Sequence, residues 1–144
     1  VHLQVTESFE QGARILTGGK ISQGPGFFYP LTLLDQVETT MPVAQDEVFG
    51  PAAACFRFSA PEEALQISNQ SRFGLGASIY TKNPEKAEAW AWALEAGILF
   101  FNGPITFDPR IPFGGIKQSG LGRELGKDGF LSFVNRRTVV HYRN

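Results

Sequence analysis

Residues 112–126, Pro112-Phe113-Gly114-Gly115-Ile116-Lys117-Gln118-Ser119-Gly120-Leu121-Gly122-Arg123-Glu124-Leu125-Gly126, set five glycines among three charged side chains and an aromatic ring. Glycine lets two backbone segments approach closely, at an entropic cost that only a specific structure offsets. The stretch is therefore a shaped loop rather than a solvated linker. A phosphate cradle is the first chemistry to test on it, and it fails. In Gly120-Leu121-Gly122 followed by Gly126 the third glycine comes one residue late, no strand leads in, and no acidic residue follows about 20 positions on. The single thiol, Cys55, lies in the run 52–58, which alternates small and aromatic residues like a buried strand. It is expected in the core, because a reactive cysteine needs an accessible, electropositive setting. His2 and His141 stand at opposite ends with no cysteine pair nearby, so no metal site of known spacing can be assembled. No Gly-x-Ser-x-Gly elbow is present for a serine hydrolase. What remains is an acid and an aromatic two positions apart, Glu47 and Phe49, and the phenylalanines Phe107 and Phe113 at the start of the glycine-rich loop.

The elements that must position these residues follow from pattern and punctuation. Residues 1–12 read as the end of a helix closing at Gly12, followed by a strand over 13–17 that Gly18-Gly19 stops. A bend at 23–26 precedes extended chain over 27–37. Ser59 with Glu62 three residues later is a capping-box pattern opening a helix through Ile67. Residues 77–81 suit a strand. Asn83-Pro84 reads as a cap with proline at the first helical position, and Gly97 as the stop. Between them Ala87, Trp90, Ala91 and Leu94 share one face, which assigns Trp90 to the core and Trp92 to another side. The apolar run 98–101 predicts a strand covered on both faces, and residues 136–143 predict a terminal strand. Strands alternating with helices of about ten residues predict an α/β fold with a mostly parallel sheet and flanking helices.

Composition bounds the function. A 144-residue chain with 42% hydrophobic residues can bury one core. A net charge of -1, with both signs interspersed, offers no footprint for nucleic acid or an acidic membrane surface. One cysteine excludes an internal disulfide. With no signal peptide and no apolar run near about 18 residues, a reducing cytoplasm is the expected compartment.

Residues 112–126 also resemble the C-terminal signature of the aldehyde dehydrogenase superfamily. Four further elements agree in order and spacing: Asp46-Glu47-Val48-Phe49-Gly50-Pro51, Phe73-Gly74-Leu75-Gly76-Ala77-Ser78, Phe101-Asn102-Gly103, and Phe133-Val134-Asn135 with Thr138-Val139-Val140. The resemblance covers about residues 13–140. It implies that the chain is the C-terminal third of an NAD- or NADP-dependent enzyme oxidising a small aldehyde to the acid. Residues 1–132 are then part of the catalytic domain, and residues 133–144 a terminal strand that joins subunits into a homo-oligomer, a dimer or tetramer. The family's nucleophilic cysteine and general-base glutamate lie upstream of everything here, so no catalytic residue is expected in this chain and the isolated chain is expected to be inactive.

By resemblance, Glu47 clamps the nicotinamide ribose hydroxyls and Phe49 helps position the nicotinamide. A carboxylate accepts from two adjacent hydroxyls, and an aromatic flank orients a flat ring. Composition alone reads the same pair as a surface acid beside a core phenylalanine. Phe107 and Phe113 match positions that line the aldehyde tunnel, Phe113 being equally suited to a structural plug. Asp108-Pro109-Arg110-Ile111-Pro112-Phe113 looks most like bacterial succinate-semialdehyde dehydrogenases. Some of those hold the substrate carboxylate with a serine near position 107; here Phe107 stands there and Arg110 is the candidate substitute. Arg123 and Glu124 are expected to form an ion-pair hub that fixes the loop. The alternatives are a non-catalytic assembly or regulatory module of this fold, and the coenzyme A-acylating branch of the superfamily.

Overall fold

A computed structural model describes residues 1–143. The chain divides into two compact units, Val1–Ser71 and Arg72–Asn144. No helix among the described residues is long and apolar enough to cross a membrane.

The first unit opens on helix α1 (His2–Glu10), which ends where Gly12 takes φ +113°, a conformation that favours glycine. Strands β1 (Arg14–Thr17), β2 (Thr32–Asp35) and β3 (Ala52–Ala54) form one sheet with β2 central, antiparallel to β1 and parallel to β3. The short helix α2 (Pro42–Gln45) lies in the β2–β3 crossover, and α3 (Pro61–Asn69) closes the unit. Val5, Ala13, Leu34, Val37, Met41 and Val43 make the core. Two buried hydroxyls serve the backbone there. Ser8 accepts from the Val43 N–H at 3.1 Å, and Thr32 accepts from the Gly19 N–H while donating to the Pro30 carbonyl, both at 2.9 Å. Each fills a main-chain group that the turns leave over, as burial requires.

Two expectations for this unit are corrected. Cys55 is exposed, not a core residue. The strand stops at Ala54 and, among the described residues, forms the edge of its sheet, leaving Cys55 just past its end, where the Cys55 N–H still bonds the Leu34 carbonyl at 2.8 Å. In α3 the cap lies one residue further on than the Ser59–Glu62 pattern predicts. Pro61 takes the first helical position and the Ser59 N–H donates to Glu63 Oε2 at 2.7 Å.

In the second unit β4 (Phe73–Gly74), β5 (Gly76–Ile79), α4 (Pro84–Ala93), β6 (Ile98–Phe101), β7 (Ile116–Lys117) and α5 (Gly126–Leu131) follow in order. β5 and β6 pair in parallel across α4, while β4 and β7 pair antiparallel. Asn83 caps α4 by accepting from the Lys86 N–H at 3.0 Å, as its sequence predicts. The helix presents buried Ala87 and half-buried Trp90 on one side and leaves Trp92 87% exposed on another. Gly97 is not its stop, because α4 already ends at Ala93 with Leu94 as cap. Gly97 instead donates its N–H to the Gly74 carbonyl at 3.0 Å and lies flat against another backbone segment. A Cβ at Gly97 would stand 2.8 Å from the Gly115 Cα and would run into the Gly114 carbonyl.

Among the described residues of this unit, the buried ones are Gly74, Ala87, Gly115 and Gly129. Its interior is thus mostly backbone against backbone. Within residues 133–144, predicted as a terminal strand, positions 135–143 carry no regular secondary structure in the single chain, and Val139, Val140 and Tyr142 are exposed. A strand exists only with a partner for its ladder, and no strand among the described residues supplies one. The last residue of the predicted segment, position 144, lies outside the described residues.

Two predictions follow from these contacts. Gly97→Ala should lower stability by roughly 1–3 kcal/mol, as overpacking does. Gly103→Ala, where the nearest atom to an added Cβ is 3.9 Å away, should leave the urea midpoint unchanged or raise it. In the first unit, Arg57 donates to both carboxylate oxygens of Asp35, at 3.1 and 2.5 Å, and with the Gln36 N–H holds that carboxyl below its usual value. A depressed carboxylate pKa adds stability that is complete above the unfolded value of about 4 and disappears as pH falls through the folded one. Asp35→Asn should therefore flatten the acid limb of a melting-temperature profile below about pH 4 and lower the plateau above it.

Candidate functional site

The glycine-rich loop is pinned at several points, and each bears on Phe113. Phe113 and Glu124 exchange two backbone hydrogen bonds, of 2.7 and 2.8 Å, closing the loop into a small antiparallel bridge. Inside it, Arg123 Nη1 donates to the carbonyls of Gly115 (2.8 Å) and Gly122 (2.7 Å). Ser119 Oγ accepts from the Gly74 N–H at 3.0 Å, and Lys117 Nζ meets Glu95 Oε2 at 2.5 Å. The expected Arg123–Glu124 hub is thus built differently: Arg123 works through carbonyls and Glu124 through its main chain. Gly115 is buried, and a Cβ there would sit 2.6 Å from the Ser119 Cβ and 3.0 Å from the Leu75 Cα. Only glycine fits.

Phe113 leaves this scaffold half-buried, and Phe107 stacks on it with ring centroids 4.2 Å apart and planes 23° from parallel. Phe107 is 70% exposed, so the pair offers an apolar wall with one ring anchored and one open. Between them the chain turns at Asp108-Pro109-Arg110. Asp108 Oδ1 accepts the Arg110 backbone N–H and Nε, both at 2.9 Å, and Oδ2 accepts Nη2 at 2.6 Å. The Arg110 guanidinium holds the Asp108 carboxyl below the usual carboxylate range, helped by the Arg110 N–H, and is itself pushed up by that partner. Arg110, the candidate for a substrate carboxylate, is therefore already committed to an anion of its own loop. Beside the loop, Leu75, Phe113, Leu121, Arg123 and Phe133 border a cleft of about 550 Å³.

Glu47 and Phe49 belong to the first unit. Helix α2 ends at Gln45, the chain becomes extended at Asp46, and the Glu47 carbonyl accepts from Gln4 Nε2 at 3.2 Å, tying this segment to α1. The Glu47 side chain is exposed and Phe49 is 87% exposed. Phe49 is thus not a core phenylalanine, and the reading of the pair from composition fails on that half. A carboxylate and an aromatic face, both open and two residues apart, fit the acceptor and stacking needs of a ribose and a flat ring. Sequence reasoning missed Asp108 and the Glu95–Lys117 pair. The first carried a signal, an acid two residues before an arginine across a proline; the second joins residues 22 positions apart and carried none.

The family model described as "Aldehyde dehydrogenase family" matches residues 1–139. A probable succinate-semialdehyde dehydrogenase [NADP(+)] of Synechocystis is 48% identical over 136 residues, covering 94% of this chain and 30% of that protein. The succinate semialdehyde dehydrogenase [NAD(P)+] Sad of Escherichia coli is 43% identical over 139 residues, covering 96% and 30%. Among solved structures, succinic semialdehyde dehydrogenase from Streptococcus pyogenes in complex with NADP+ superposes with a TM-score of 0.92 at 37% identity, over 99% of this chain and 31% of that one. The chain spans about 30% of the length of the curated relatives it matches. With a glycine-built loop, a parallel β5–α4–β6 unit and a match that runs almost end to end, the chain belongs to the aldehyde dehydrogenase family.

Proposed function

We propose that this chain is the C-terminal part of the catalytic domain of an NAD(P)-dependent aldehyde dehydrogenase, which oxidises a small aldehyde to its carboxylic acid. The observation that carries the reading is the stacked Phe107–Phe113 wall on a rigid glycine-built loop, in a chain whose relatives are named for that reaction. Succinate semialdehyde is the first substrate to try, because the relatives from Synechocystis, Escherichia coli and Streptococcus pyogenes carry its name.

In this reading the chain supplies surfaces rather than the nucleophile. The cysteine that attacks the aldehyde and the glutamate that activates water stand upstream of the segment, as in the family. Bound NAD(P) supplies a hydride acceptor. Glu47 accepts from the ribose hydroxyls, Phe49 flanks the nicotinamide, and the Phe107–Phe113 wall excludes water and fixes the apolar part of the aldehyde. Removing water from a reacting centre strengthens the fixed dipoles that stabilise charge there. The 144-residue chain alone should therefore form no NADH or NADPH from any aldehyde. In the intact protein Glu47→Gln should raise the KM for cofactor and slow hydride transfer, on the order of 100-fold if the ring drifts by an ångström. Unchanged cofactor affinity and turnover would identify Glu47 as an ordinary surface acid.

Assembly belongs to the same proposal. Residues 138–142 are rich in strand formers, and Val139, Val140 and Tyr142 are exposed. The charges nearby, Arg136, Arg137 and Arg143, lie at the ends of the segment, where they do little to blunt an edge. The segment becomes a strand by pairing with a second copy. Truncation after Asn135 should shift the oligomeric state downward in sedimentation, and an unchanged state would refute this role.

A further inference from the structure

We propose that Asp108 and Arg110 are positioning residues that hold the two-phenylalanine wall in its stacked form, and that Arg110 is not the group that binds a substrate carboxylate. This rests on the reading that Phe107 and Phe113 face the aldehyde. Phe107 is 70% exposed and stacks on Phe113 with its other face open to solvent, so stacking alone leaves it free to swing into water. What limits it is the five-residue link to Phe113. There the Asp108 carboxylate takes the Arg110 N–H and guanidinium, and the Asp108 carbonyl accepts from the Ile111 N–H at 3.2 Å. The Pro109 carbonyl accepts from the Gly126 N–H at 3.0 Å, which anchors the turn to the start of α5. The far end is fixed by the Phe113–Glu124 bridge.

An exposed ion pair is ordinarily worth little. This one differs in geometry. The Asp108 side chain is only 26% exposed, the contact is a two-pronged fork, and the same carboxylate also closes a backbone turn. The fork occupies Nε and Nη2, one of the two edges with which an arginine binds a carboxylate through two parallel bonds, and sets the Asp108 charge against the guanidinium. A substrate carboxylate approaching Arg110 must displace Asp108 or accept a like charge beside it.

The test uses the intact protein with succinate semialdehyde and butanal as a charged and an uncharged aldehyde. Asp108→Ala should raise the KM for both by about 10-fold or more, since small losses of pocket fit act on that scale, with the KM for cofactor unchanged. Asp108→Asn keeps an acceptor for the Arg110 N–H and should recover most of the loss. Arg110→Ala should affect both aldehydes alike. A loss confined to succinate semialdehyde in Arg110→Ala would overturn the proposal and make Arg110 the carboxylate binder. Crystal structures of Asp108→Ala and Asp108→Asn separate the two ideas. Rings still stacked in Asp108→Ala refute the clamp. Rings parted in Asp108→Ala, with both KM values unchanged, uphold the clamp and refute the aldehyde-facing reading of the wall.

Discussion

The second unit depends on one contact between backbones, Gly97 against Gly114 and Gly115. A Cβ at Gly97 or at Gly115 has no room, and among the described residues of the unit the buried ones are Gly74, Ala87, Gly115 and Gly129. Such an interior gains little from apolar side-chain burial, at about 25 cal/mol per Å². It draws its order instead from hydrogen bonds that become possible because the main chains touch: Gly97 to Gly74, Phe113 to Glu124, and Arg123 to two loop carbonyls. Bonds of this kind are directional, so they fix the loop's shape more narrowly than a greasy core fixes a surface segment. Phe113 stands next to the contact, and its ring inherits that precision.

The first unit is built the other way. Val5, Leu34, Met41 and Val43 form a side-chain core, and its turns are satisfied by single hydroxyls from Ser8 and Thr32. Here the segment carrying Glu47 and Phe49 is extended chain following a four-residue helix, with a side-chain bond from Gln4 of α1 and Val48 packed on the core.

Local chemistry was legible in the sequence and neighbourhood was not. Asn83-Pro84, the Gly12 terminus and the parallel β5–α4–β6 unit follow from caps, φ preferences and apolar runs that act within a few residues. Cys55 and Gly97 were misread for a shared reason. The pattern around Cys55 is that of a strand flanked on both sides, yet the strand is an edge in this chain. Gly97 has the look of a helix stop, but its constraint comes from residues 17 and 18 positions later. Residues 138–142 have strand composition and, among the described residues, no strand beside them. The candidate site divides in the same way: Phe107 and Phe113 could be named from sequence, whereas the stacking that makes them one surface is a distance only the fold supplies.

Charge placement around the wall bears on what the site can recognise. Two stacked phenylalanines reward any hydrocarbon that covers them and discriminate poorly between chains of similar length, since one methylene changes binding by about 1–3 kcal/mol. Selecting a carboxylated aldehyde takes a cation whose hydrogen-bonding edge is open, because an anion brought from water to an apolar wall loses solvation that only a paired charge restores. Asp108 occupies the Nε–Nη2 edge of Arg110 and offsets its charge. Lys117 is likewise paired, with Glu95, and Arg123 spends Nη1 on two carbonyls. The cations closest in sequence to the wall are thus engaged in building the loop. In the proposed reading, the carboxylate of an acidic aldehyde finds its partner on a residue outside this loop, and the stacked pair would set how well the aldehyde's apolar portion is held rather than which charge it bears.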